Sequence, residues 1–140
     1  MSTRRDGRIA ALQLLYQLDI RDAFDGADDV VERHFAHIDS SADADVHAFA
    51  ARICHGVLAH RAEIDELLAR SADNWRLERM SYVDRNVLRL AAYELLHCPE
   101  VPARVALNEA IEIAKQFGST ESGAFVNGVL ARALRDRDVR

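Results

Sequence analysis

The chain has 140 residues and a formal charge of −5, with 49% apolar and 29% charged residues. That suffices for one globular domain around one core, and the negative balance excludes general attraction of the whole molecule to nucleic acid. No apolar run is long enough to span a bilayer, and the start, Met-Ser-Thr-Arg-Arg-Asp-Gly-Arg, lacks the apolar segment of a secretory signal, so a cytoplasmic protein with reduced Cys54 and Cys98 is expected.

In chain order, Ile9, Leu12, Leu15, Tyr16 and Leu18 make the first helical stripe. Softer loops follow at Asp25–Asp29 and Asp39–Asp45. Phe49, Ile53, Val57, Ile64, Leu67 and Leu68 continue the helical period over a longer stretch that is expected to bend near Gly56. "SADNWRLERMS" reads as a connection. Val83 to Leu96 is apolar nearly all round, as expected of a central helix packed on several sides. Pro99 and Pro102 break the chain, because proline lacks an amide donor and restricts its predecessor. Val105, Leu107, Ala110, Ile111, Ala114 and Phe117 form the next stripe, with Gly118 directly after it as a good C′ residue.

The last segment, "STESGAFVNGVLARAL", carries an Asn-Gly pair that elsewhere signals a hairpin. Strands of about three residues with no sheet to join would be marginal. A helix capped by Ser119, with Phe125, Val126, Val129, Leu130 and Leu134 as its apolar stripe, fits better. Gly128 is then expected to let another helix approach, and Asn127 to hold a buried or half-buried amide bonded to backbone. The fold class is all-α, with six to seven helices.

Chemistry-bearing clusters are few. Cys54, His55 and His60 match no common zinc finger, His34 and His37 read as a solvated pair, and no metal site or cofactor is expected. No Ser-His-Asp order or paired carboxylates point to a hydrolase. Charge is unevenly spread: Arg4, Arg5 and Arg8 crowd the start, Arg132, Arg135, Arg137 and Arg140 the end, and Lys115 is the only lysine. Arginine suits recognition of phosphate and stacking on bases, although arginine-rich coding accounts for the composition equally well. Measured from Arg4 at 100° per residue, Arg8 falls at about 40°, Arg5 at about 100° and Tyr16 at about 120°, one stripe about 18 Å long. Leu12 and Leu15 share these azimuths and belong to the core. The arginines are therefore expected beyond the end of the bundle, on an overhanging first turn. A frayed, solvated terminus is the plain alternative for them, and a core aromatic for Tyr16.

"NEAIEIAKQFGSTESGAFVNGVL" (Asn108 to Leu130) closely resembles the C-terminal signature of the NusB family of transcription antitermination factors. "VDRNVLRLAAYELL", "RIAALQLLYQLDI" and "GVLAHRAEIDELLARSADNWRLERM" resemble its central, first and middle segments. The resemblance implies a single RNA-binding domain over residues 1–140, built as two roughly perpendicular three-helix bundles with halves of about 1–72 and 73–140, and no enzyme. It implies binding of boxA-type single-stranded RNA from ribosomal RNA operon leaders, together with the small-subunit ribosomal protein NusE, in the antitermination complex of RNA polymerase. A bundle of this size can also form a homodimer through its RNA-binding surface.

Residue by residue, the resemblance assigns RNA contact to Arg4, Arg5, Arg8, Tyr16, Ser122 and Phe125, with Lys115 added as a phosphate contact. It assigns partner contact to Asp84, with Arg85 beside it. The bland readings stand beside these: core packing for Phe125, a solvated side chain for Lys115, and a helix cap for Asp84. Free amides at the start of the last helix are a phosphate-binding feature. Asp6 and Gly7 interrupt a start that is more basic in many relatives, so RNA binding is expected to be weak without the partner. Ala131 replaces an acid often found after "FVNGVL". The rival readings are a helical protein–protein adaptor, and the NusB-like front domain of an rRNA cytosine methyltransferase, which would need a Gly-rich cofactor loop absent before Arg140.

Overall fold

The computed structural model describes residues 3–36, 44–73 and 75–137. His37, most of the expected Asp39–Asp45 loop, Asn74, Asp138 and Arg140 lie outside the described residues. Among the described residues seven α-helices follow one another: α1 (Thr3–Ile20), α2 (Asp28–Ala36), α3 (Ala44–Ala59), α4 (Arg61–Ser71), α5 (Tyr82–His97), α6 (Ala103–Phe117) and α7 (Ser122–Arg137). A 3-10 turn at Leu77–Arg79 leads into α5, and no strand occurs among the described residues. The all-α reading of the Asn-Gly segment holds, since both residues lie inside α7. No helix among the described residues is long and apolar enough to cross a membrane.

The helix ends follow from local chemistry. Asp22 sits at φ 51° just past α1, and Ala23 N donates to Leu18 O while Asp22 N donates to Asp19 O. This is a Schellman closure with aspartate in the left-handed position that glycine more often fills. Ser81 caps α5, its Oγ accepting from Asp84 N at 3.0 Å. Asp84 is therefore in the first turn and not the cap. Pro102 precedes the first residue of α6, where its missing donor has no helical partner to lose. Arg132 Nε of α7 donates to the carbonyl of Ser71 at 2.6 Å and closes the end of α4.

α5 is the central element: α1, α3, α4, α6 and α7 all pack on it, and Val87, Leu88, Leu90, Ala91 and Leu95 are buried. α2 covers α3, and α4 packs on α5 and α7. The chain turns between α3 and α4 at His60, not at Gly56. Gly56 lies within α3, where a Cβ would come 2.1 Å from Tyr93 Cε1. It is the place where α3 meets α5.

Gly118 ends α6 as expected, its N–H donating to Ala114 O, whereas Gly128 differs from its expected role. At Gly118 φ is −100°, an extended conformation that any residue adopts. The glycine is needed because a Cβ would lie 2.3 Å from Ser122 Oγ and 2.8 Å from Ala114 O. At Gly128 an added Cβ would meet, within 4 Å and among the described residues, only the Arg132 guanidinium of its own helix at 3.7 Å. Asn127 is exposed and not a buried polar anchor. Gly7 is buried, with room for its Cβ blocked by Phe49 Cδ2 at 2.8 Å and Val46 O at 3.1 Å, so α1 and α3 cross closely there.

Candidate nucleic-acid interface

The first turns of α1 do not overhang the bundle. Arg8 is 2% exposed, and its Nε and Nη2 donate to the two oxygens of fully buried Glu94, both at 2.7 Å. It lies deeper than the stripe angle implied because α5 supplies a carboxylate at the centre of the core. Arg5 is half-exposed and makes its own two-pronged pair with Glu109, at 2.9 and 2.6 Å. That pair holds the Glu109 carboxyl below the usual carboxylate range. Arg4 is exposed, with its guanidinium over the Phe49 ring at 4.8 Å, and makes no ion pair among the described residues.

Arg85, expected at a partner surface, is turned inward as well. Its Nε and Nη2 donate to Asp19 at 2.5 and 2.8 Å. Asn86 Nδ2 and Arg89 Nη1 reach the same carboxylate, and Arg89 continues to Asp65 on α4 at 2.9 Å. This chain ties α1, α5 and α4 together. Burial alone would raise the Asp19 carboxyl, but the hydrogen bonds from Arg85 and Asn86 and the nearby Arg89 charge outweigh it and hold it low. A depressed carboxyl stabilises the fold above its unfolded value, about 3.9, and that contribution disappears as pH falls through the lower folded value. Asp19→Asn is therefore expected to be less stable than wild type at pH 7 and to lose less on going from pH 5 to pH 2.5, measured as urea midpoints at each pH.

The exposed chemistry gathers around the first turn of α5. On one side, Leu12, Gln13, Tyr16, Gln17, Val83 and Phe117 line an open apolar groove between α1, α5 and α6. Tyr16 is 36% exposed and meets Tyr82 edge-on, with ring centroids 5.9 Å apart. Tyr82 and Phe117 are equally open. On the other side, Trp75, Arg79, Met80, Ser81, Asp84, Ser119, Glu121 and Phe125 line a second groove. Trp75 is 54% exposed and stands edge-on to half-buried Phe125 at 5.9 Å. Asp84 Oδ1 is buried at this groove and has no hydrogen-bond partner among the described residues.

Lys115 is exposed, 3.5 Å from Glu112, and its stem covers Gly123 in the first turn of α7, where a Cβ would meet Cγ at 2.9 Å. Ser122 is 1% exposed. Its Oγ accepts from Ser119 N at 2.9 Å, so Ser122 has no surface to offer a ligand; α7 starts there, two residues later than a cap at Ser119 implies.

The structure thus places Tyr16 in one groove and Asp84 and Phe125 in another on the other side of the first turn of α5, leaves Arg4 and Lys115 exposed, pairs half-exposed Arg5 with Glu109, and commits Arg8, Arg85 and Ser122 to internal bonds. Trp75, Tyr82 and Phe117 were missed. Phe117 sits on the helical stripe and reads as core, Tyr82 abuts the central helix, and Trp75 stood only in a loop; a lone tryptophan among polar residues was the one available signal.

The NusB family model matches residues 5–135. A transcription antitermination protein NusB from Myxococcus xanthus is 47% identical over 134 residues, 94% of each chain. One from an Anaeromyxobacter species is 50% identical over 131 residues, 93% of this chain and 89% of that one. Among solved structures, NusB of T. maritima superposes with a TM-score of 0.84 at 38% identity, covering 97% of this chain and 93% of that one. A chain from a crystal structure of antitermination factors NusB and NusE in complex with double-stranded RNA gives 0.76 at 25% identity, covering 97% and 98%.

Proposed function

The chain belongs to the NusB family, whose members are transcription antitermination proteins and not enzymes, and from that premise we propose that it binds boxA-type single-stranded RNA of ribosomal RNA leaders. It does so together with the ribosomal protein NusE, within the antitermination complex of RNA polymerase. The observation that carries this reading is the pair of open rings, Tyr16 and Phe117, in the groove between α1, α5 and α6, with exposed Tyr82 edge-on to Tyr16. Unpaired bases stack on such rings in a sequence-tolerant way. Arg4 and Lys115 supply cations for phosphates, with Arg5 sharing its charge with Glu109. The molecule is acidic overall and two of its three leading arginines are neutralised by carboxylates, so affinity for RNA alone is modest and the partner supplies the remainder. Asp84, part-buried in the lining of the second groove beside Trp75 and Phe125, is the acidic residue placed to meet the partner.

The test is fluorescence anisotropy of a boxA-like strand against a scrambled strand, with and without NusE, at two salt concentrations. Tyr16→Ala is expected to weaken boxA binding by roughly 5- to 150-fold, the equivalent of about 1–3 kcal/mol for a lost stack. Arg4→Ala should lower the salt slope by about 0.7. Retained binding of NusE with no boxA preference under any condition would establish a protein–protein adaptor instead.

A further inference from the structure

Away from the grooves, the turn between α3 and α4 meets the end of α5. His60 occupies that turn, Glu63 lies in the first turn of α4, and His97 is the last residue of α5. The His60 and His97 rings stack with centroids 3.8 Å apart and planes 19° apart. His97 Nε2 lies 2.9 Å from Glu63 Oε1, and His60 Nδ1 lies 3.7 Å from the same oxygen. One donor atom from each of the three residues falls within 4.8 Å of the others. All three side chains are part-buried, and the Tyr93 ring walls the cluster on the core side, 6.4 Å from His60 and 5.8 Å from His97.

We propose that His60, Glu63 and His97 form a binding site for a divalent transition metal ion such as Zn²⁺, with water completing the coordination. Two imidazole nitrogens and one carboxylate oxygen are the donor set that borderline cations such as Zn²⁺, Co²⁺ and Ni²⁺ prefer, and Mg²⁺ and Ca²⁺ do not. A tetrahedral ion with arms of about 2.0–2.1 Å needs donors about 3.3 Å apart. To reach it, the His97–Glu63 pair, hydrogen-bonded at 2.9 Å, opens by about 0.4 Å, the His60–Glu63 distance of 3.7 Å closes by about as much, and the His60 ring turns out of its stack on His97 so that its nitrogen lone pair aims at the ion. The remaining closure falls to His60 and Glu63, whose side chains are 41% and 38% exposed and have room to move.

The two histidines converge on a single oxygen, and this distinguishes the cluster from an ordinary ion pair. His55 provides the contrast: its two nitrogens reach two different carboxylates, Asp28 at 2.5 Å and Glu32 at 3.1 Å, so one imidazole lies between two acids with no second nitrogen to share an ion. A bound ion would staple the start of α4 to the end of α5. Since the unfolded chain does not hold the three donors together, the ion would stabilise the native state.

The site is tested on tag-free, full-length protein treated with chelator. Co²⁺ is titrated by its visible absorption and Zn²⁺ by calorimetry, with a melting curve at each endpoint. The expected result is one saturable site, a Co²⁺ spectrum in the range of low-coordinate N/O ligation, and a melting temperature that rises with either metal. His97→Ala and Glu63→Gln should each weaken binding by roughly 10–100-fold or more, since even loss of an outer-shell partner costs that much. His55→Ala should leave binding unchanged. If His97→Ala folds poorly by circular dichroism, His60→Ala gives the same readout from the solvent-facing side. Absence of saturable binding to wild type, or equal binding by wild type and the His60, Glu63 and His97 variants, overturns the proposal; so does loss of the site in His55→Ala alone.

Discussion

Replacing Arg8 by alanine is expected to destabilise the protein by about 3–5 kcal/mol, while replacing Arg4, one turn earlier, should change stability by less than about 0.5 kcal/mol. The difference comes from what each leaves behind. Arg4 is exposed and gives up a contact with the Phe49 ring. Arg8 gives up two charge-assisted hydrogen bonds and takes both from Glu94, a carboxylate with no exposure at all. A buried charge without its counter-charge costs several kcal/mol. Replacing both members by apolar residues of similar volume is often neutral, so Arg8→Met with Glu94→Leu should recover most of the loss. Urea denaturation of the four proteins measures this directly. A loss below about 1 kcal/mol in Arg8→Ala would mean that water reaches Glu94 and that the first turns of α1 open readily. The same argument governs RNA experiments: weakened RNA binding in an Arg8 variant would report damage to α1 rather than a lost phosphate contact, which is why Arg4 and Tyr16 are the informative positions.

Gly56→Ala is expected to cost about 3 kcal/mol, the upper end of overpacking penalties, despite a gain of about 1 kcal/mol in helix propensity. The added methyl would sit 2.1 Å from Cε1 and 2.2 Å from Cζ of Tyr93. That ring is 7% exposed and stands beside the His60 and His97 rings, so it has little space into which to swing. Either α3 moves away from α5 or Tyr93 leaves its rotamer. Combining Gly56→Ala with Tyr93→Ala should then cost clearly less than the sum of the single changes, because the clash is present only when both groups are. Thermal melts of the two singles and the double provide the cycle. Additive losses would mean that the backbone, and not the ring, bears the strain.

The helices and their breaks were legible because they rest on local rules. Apolar residues recurring at helical period located α1, α3, α5, α6 and α7. Pro99 and Pro102 marked the α5–α6 connection, and short hypothetical strands with no sheet to join ruled out the hairpin around Asn127-Gly128. The family motifs were legible for a related reason. Two acids inside them, Glu94 of "AAYELL" and Glu109 of "NEA", are the residues that hold Arg8 and Arg5, so much of the recognisable pattern is scaffold.

Which arginines face solvent was not legible. A stripe angle places Arg4, Arg5 and Arg8 on one side of α1, but their fates depend on carboxylates far along the chain: Glu94 lies 86 residues from Arg8 and Glu109 lies 104 residues from Arg5. Asp19 likewise captures Arg85 across 66 residues. The same holds for glycine and aromatic positions. Gly56 and Gly128 are both single glycines in helices, yet one faces Tyr93 and the other faces the end of an arginine side chain. Phe117 keeps the helical period of α6 and is still exposed, because the groove it lines with Leu12, Tyr16 and Val83 is open. Periodicity is a property of one helix and is written in its own residues. Burial of a charge, the need for a missing side chain and the exposure of a ring are properties of two surfaces meeting, and they exist only once α5 has gathered the other helices around it.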